Sequence, residues 1–188
     1  MARLVRLLVA VSVMAAAVAI YAGVAAGHGG GGGGGNSGRH GDNNGNRHGG
    51  KHRGNAVLDA SLAPSQPTDP SFHGVGPGGV PWVLNRGSVK LKAKGRLELR
   101  VRGLVIPPPS GNNTAGGVTS ISASLYCGAD TDTAPADTSD TVPLSQNGNA
   151  RIEDRSFIVP STCLAPVILV HPNGDPTRYI AVSGWRTS

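Results

Sequence analysis

Aromatic residues are scarce in this chain, at 4% of 188 residues, and hydrophobic residues reach only 38%. Both are low for a packed globule. The 29 glycines show where the dilution lies, because residues 27–55 hold a long glycine run with His, Asn and Arg and almost nothing apolar. That stretch cannot bury enough apolar area to offset its conformational entropy, so it is expected to be disordered. From about Ala56 onward the composition is that of an ordinary single domain. A helical period is missing throughout that part, which argues against a helical bundle.

Catalytic signatures are missing too. There is no Gly-x-Ser-x-Gly, Ser-x-x-Lys, His-Glu-x-x-His, phosphate-binding loop or paired-Gly dinucleotide turn. A Ser-His-Asp site could still assemble from distant residues, with only His73 or His171 available as base within the domain. His73 sits among prolines and glycines, and His171 precedes Pro172 at a turn, where a surface histidine is expected. No catalytic residue is assigned, no cofactor is implied, and the domain is read as a non-enzyme.

Charge of one sign is in excess, with a net +6 and a pI near 9.9. The excess is not in the domain. Arg3 and Arg6 lie in the first 26 residues, and Arg39, Arg47, Lys51 and Arg53 face only Asp42 in the tail. The remainder carries eleven basic and ten acidic residues. Whole-chain charge therefore does not argue for a nucleic-acid-binding domain.

Residues 1–26 combine a basic start, an apolar run over Leu7–Ala26 and a small-residue exit at Val24-Ala25-Ala26. This is the pattern of a secretory signal peptide, and cleavage is expected after Ala26. The competing reading is an uncleaved anchor, since the run is about long enough to span a bilayer. No cysteine follows the run to take a lipid, and no twin arginine, wall-sorting motif or C-terminal apolar tail is present. The protein is expected to be secreted, with the option of remaining at the cell surface. Residues 27–79 are read as a disordered Gly/His/Asn-rich tail and a Pro/Gly-rich lead-in, with Val57 and Leu58 as a candidate edge strand. His28, His40, His48 and His52 match no compact metal motif, so the tail is read first as a spacer.

Residues 80–188 read as strands. Val89-Lys-Leu-Lys-Ala93 and Leu97-Glu-Leu-Arg-Val101 alternate apolar with charged residues, as strands with one buried face do. A three-residue loop over Lys94–Arg96 would pair Ala93 with Leu97, Leu91 with Leu99 and Val89 with Val101, with Gly95 supplying positive φ. Thr119–Cys127 puts Ile121, Ala123, Leu125 and Cys127 on one face and Ser120, Ser122, Ser124 and Tyr126 on the other. Thr141–Ser145, an Asn147-Gly148 hairpin turn and Ala150–Val159 follow, with a bulge expected near Glu153–Arg155 where the phase changes. Val167–Val170 reads as a strand buried on both faces, Asn173-Gly174 as a turn, and Arg178–Trp185 as the last strand. About eight short strands with regular turns predict an antiparallel β-sandwich.

Cys127 and Cys163 are an even pair in a chain expected to be exported, which points to one disulfide. Free thiols, or a zinc site with His73 and His171, are the alternatives. Asp130, Asp132, Asp137 and Asp140 suggest calcium, but the Gly and closing Glu of a calcium loop are missing, so no metal ligand is assigned. Trp82 and Trp185 could form a sugar platform, but core packing is the first expectation for them. The sharpest cluster is Arg86, Lys90, Lys92, Lys94, Arg96, Arg100 and Arg102 against Glu98 alone. Lys90, Lys92, Lys94, Arg96, Arg100 and Arg102 are the candidate anion-binding residues, for a wall polymer, acidic glycan or lipid surface. Two other readings compete: protection of an exposed edge strand, and cover by the acidic loop. No aromatic interleaves these charges, so nucleic acid is not the expected partner.

Pro81-Trp82, Gly95–Val105, Ala123-Ser-Leu-Tyr-Cys127 and Pro160-Ser-Thr-Cys-Leu-Ala-Pro166 together resemble a family of uncharacterised secreted, mostly actinobacterial β-domain proteins, over about Val80–Trp185. The resemblance implies an exported β-domain with the same cysteine pair, and no particular activity. A fainter similarity to CHRD domains lies in the Gly-Leu-Val strand-and-turn style near Gly103. Ser124-Leu-Tyr-Cys127 stands where those domains carry His-x-His. The sequence thus predicts an exported non-enzymatic protein that binds an anionic envelope component. A small secreted hydrolase and an extracellular metal-binding protein are the alternatives.

Overall fold

A computed structural model describes residues 56–187. The expected signal segment and glycine-rich tail lie outside these residues. The strands, in chain order, are β1 (Ala56–Pro64), β2 (Gly76–Pro77), β3 (Arg86–Lys92), β4 (Arg96–Arg102), β5 (Ser120–Tyr126), β6 (Asp137–Thr138), β7 (Val142–Pro143), β8 (Ala150–Asp154), β9 (Val167–Pro172), β10 (Arg178–Tyr179) and β11 (Ala181–Ser183). All the described regular structure is β, as the two-residue period predicts. The main sheet runs β6-β5-β9-β11-β1-β3-β4-β8 and is antiparallel, with β7 also pairing β5. It folds over on itself around one core, as two facing leaves. A small parallel pair, β10–β2, lies outside it.

β1 joins the leaves. Its first part pairs β3 through Ser61↔Ser88, and its last part pairs β11 from Leu62↔Ser183 onward. The expectation of an edge strand at Val57–Leu58 is therefore corrected, because the strand is interior to the order. It begins inside the segment read as lead-in. A register shift between Ala56 and Leu58 interrupts its alternation, which hid it in the sequence.

The β3–β4 hairpin has the predicted faces: Val89, Leu91, Leu97, Leu99 and Val101 are buried and the charged residues between them point outward. Its register is two residues from the expected one, with Leu91↔Leu97, Val89↔Leu99 and Gly87↔Val101. The loop is Ala93-Lys94-Gly95, not Lys94–Arg96. A three-residue loop is a turn closed by a left-handed residue in third place, and Gly95, with φ +76, takes that place. A shift of two leaves every side chain on its original face.

Two other turns differ from expectation. Asn147-Gly148 is a turn with Gly148 at φ +71, but the flanking β7 and β8 do not pair with each other; they belong to opposite leaves. The phase change after Ile152 is the end of β8, not a bulge. Asp154 Oδ1 accepts the Ser156 N–H at 2.8 Å and its hydroxyl at 3.0 Å, and Phe157 then buries itself beneath the hairpin loop.

The core between the leaves holds Trp82, Leu91, Leu99, Leu104, Ile121, Leu125, Ile152, Phe157 and Ile168 among others. β9 is buried on both faces, as its unbroken apolar run predicts. Its outer side, with that of β5, is covered by the segment from Gln66 to Gly79. Phe72 and Val75 of that segment pack with Tyr126, Leu169 and Tyr179 in a second, smaller cluster. Ser122 and Ser124 are buried there as well, so the face of β5 that reads as polar is also interior.

Candidate functional site

The expected disulfide is present: Cys127, just after β5, is bonded to Cys163 in the loop before β9. No free cysteine remains. The free-thiol and zinc readings therefore do not apply.

The two described histidines, His73 and His171, are interior, and the expectation of a surface His171 is corrected. His171 is 1% exposed, with the Asp175–Arg178 segment against its ring. Its Nδ1 donates to the Arg178 carbonyl at 2.8 Å, and its Nε2 is buried without a partner. Burial holds its pKa below the ordinary 6.5, against the opposing effects of the Arg178 carbonyl and Asp175. The ring is therefore neutral in the folded state over a range where an unfolded chain takes up a proton. Stability is full above about pH 6.5 and falls as pH drops toward the lower folded-state pKa. Melting temperatures measured between pH 7.5 and 5 should fall toward acid in the native protein. The same slope should flatten in His171→Gln; an unchanged slope would assign the acid sensitivity to other groups.

His73 is equally enclosed. It stacks on Tyr126 with ring centroids 4.9 Å apart, and its Nδ1 lies 2.9 Å from the Asp132 carbonyl. Its backbone N–H donates to Asp130 Oδ1 at 3.3 Å. These contacts tie the Gln66–Gly79 cover to the loop after β5. The acidic residues of that loop disperse: Asp130 turns to His73, while Asp137 accepts the Ile158 N–H at 2.6 Å. Among the described residues no three His, Cys, Asp or Glu side chains converge on a metal-sized point.

The basic residues do converge. Arg86, Lys90, Arg96, Arg100 and Arg102 are exposed and Lys92 half-exposed on the solvent side of β3 and β4, with exposed Lys94 in the loop. β8 adds Arg151 to the same face, a residue the sequence reading had not grouped with them. β3 and β4 are both interior to the strand order, so edge protection is not their role. The acidic loop does not cover them either, since they remain open to solvent.

Registration across the strands decides the electrostatics. One row reads Asp59, Lys90, Glu98, Glu153 across β1, β3, β4 and β8. Lys90 pairs Asp59 at 3.3 Å, Arg96 pairs Glu98 at 2.7 Å, and Arg151 pairs Glu153. Outside that row, cations stand directly opposite cations: Arg86 faces Arg102, Lys92 faces Arg96, and Arg100 faces Arg151. Arg86, Lys92, Lys94, Arg100 and Arg102 have no carboxylate partner among the described residues.

The two tryptophans divide. Trp82 is 2% exposed and in the core, as expected, whereas Trp185 is 80% exposed. β11 ends at Ser183, so Trp185 lies beyond the last paired residue. It borders a cleft of about 490 Å³ floored by Ala63, Val167 and Val182 and flanked by Phe72. At the rim Arg186 Nη2 donates to both Asp69 oxygens, at 2.7 and 2.5 Å, and the Gln66 N–H donates to Asp69 at 2.8 Å. Tyr179, whose hydroxyl donates to the Pro70 carbonyl at 2.8 Å, anchors the same wall. Burial and nearby Asp69 push its pKa up to about 12.

No family model, curated protein or solved structure matches the chain.

Proposed function

We propose that this is an exported, non-enzymatic binding protein whose basic β3–β4–β8 face holds an anionic polymer of the cell envelope. The observation that carries the reading is the placement of like charges. Cations directly opposite one another on neighbouring strands are destabilising. The domain has eleven basic and ten acidic residues, enough acids to alternate, yet it puts cation against cation three times on one face. Local conflict of this kind is what binding surfaces retain and folding alone would remove. A polyanion laid across the rows supplies the missing countercharge. A disulfide accords with an oxidising location outside the cytoplasm. No aromatic interleaves the cations on β3, β4 and β8, so bases have nothing to stack on between the charges and a non-nucleic polyanion is favoured there.

Replacing Arg86, Arg100 and Arg102 together with Gln tests this. Binding to anionic envelope fractions, measured by co-sedimentation, should weaken as salt rises in the native protein and vanish in the variant. The melting temperature of the variant should stay level or rise, because repulsion is relieved and the side chains are exposed. Retained binding would overturn the proposal. A variant that lost binding and also melted early would point to a structural role for these arginines.

A further inference from the structure

Trp185 is a large apolar surface left in water beside a concave site. It is 80% exposed and forms part of the wall of a hollow on each side. The hollow on its other side, of about 340 Å³, is lined by Leu84, Asn85 and Arg86. Trp185, Arg186 and Ala63 line both hollows. A path therefore runs from the Asp69–Arg186 pair, across the Trp185 ring, to Arg86 at the margin of the basic face.

Each part of that path suits a different part of one ligand class. An indole takes the flat C–H face of a sugar ring. A fixed carboxylate–guanidinium pair offers an acceptor and donors side by side for hydroxyl groups, since Arg186 spends only Nη2 on Asp69. Arg86, with Arg102 opposite it, takes a negative group. A lipid surface brings no ring hydroxyls to the Asp69–Arg186 pair, and an inorganic polyanion has no apolar face to offer. Building on the basic-face reading, we infer that the Trp185 cleft is a sugar-ring subsite, so that the anionic polymer bound there is a charged glycan.

Tryptophan fluorescence tests this in the full chain, because Trp82 is enclosed and only Trp185 answers to solvent. Oligogalacturonate should shift the emission to the blue and shield it from iodide. Trp185→Ala should bind oligogalacturonate about tenfold more weakly, as expected for losing one aromatic contact. Its binding of polyphosphate should be unchanged. Equal oligogalacturonate affinity in Trp185→Ala and the native protein would overturn the subsite and leave the basic-face reading intact. So would binding of polyphosphate or phosphatidylglycerol vesicles with no binding of any glycan. If no polyanion binds, the basic-face reading fails. Shielding of Trp185 by neutral cellohexaose would then still support the subsite, and no shielding, or shielding only by a proline-rich peptide, would overturn it.

Discussion

Replacing Cys127 and Cys163 together with Ser should lower the unfolding free energy by about 4 kcal/mol. The bond spans a sequence separation of 36 and encloses β6, β7 and β8. It also clamps the end of the β5–β9 ladder, where Tyr126↔Val167 is the last pair and the Gly128 N–H donates to the Leu164 carbonyl at 2.7 Å. Most of the effect is on the unfolded chain, which gains freedom over that whole connection once the bond is gone. For a domain of this size the loss corresponds to a melting temperature lower by roughly 15 °C. Urea unfolding of the native and double-serine proteins gives the difference from the midpoint and slope of each. A difference below about 1 kcal/mol would mean that the unfolded chain is already held compact in this region.

Gly148→Ala should cost about 3 kcal/mol or more. Gly148 has φ +71, where a β-carbon is strained by about 1–2 kcal/mol. The added carbon would also lie 2.3 Å from both the nitrogen and the oxygen of Leu104. That neighbour is backbone, and its N–H donates to the Gly148 carbonyl at 3.0 Å, so it cannot turn aside as a side chain could. The turn carries the chain from one leaf to the other, so displacement there disturbs both. Gly117→Ala is the matched control: nothing lies within 4 Å of its built carbon, and the change should stay within about 0.5 kcal/mol. Calorimetric melting of both variants decides the matter. Equal melting of the two would show that the Leu104 turn yields freely.

What the sequence made legible follows the range of the interactions involved. The hairpin faces, the doubly buried β9 and the positive φ at Gly95 come from local patterning, and local patterning is visible in a string of residues. β1 was underestimated because its partners, β3 and β11, lie far apart in sequence and a register shift breaks its period. The burial of Ser122 and Ser124 was not legible because a face of small hydroxyl residues carries no apolar signal. Ser124 satisfies its hydroxyl with Thr138 at 2.7 Å, a partnership no composition reveals. The candidate basic residues were readable from alternation alone. The addition of Arg151 and the cation-on-cation rows needed the register. Trp185 was out of reach for the opposite reason, since its exposure depends on where β11 stops.

The first described strand is finished by the last one. β1 acquires its second partner only when Ala181–Ser183 are in place, so the joint between the leaves is made from residues at opposite ends of the domain. Contacts of such long sequence separation form slowly. Of all the described strands β11 leaves the ribosome last, so the strand shared by the two leaves is completed only after every other strand has been made. Closure of the two leaves onto one shared strand is thus the longest-range event in the folding of this topology.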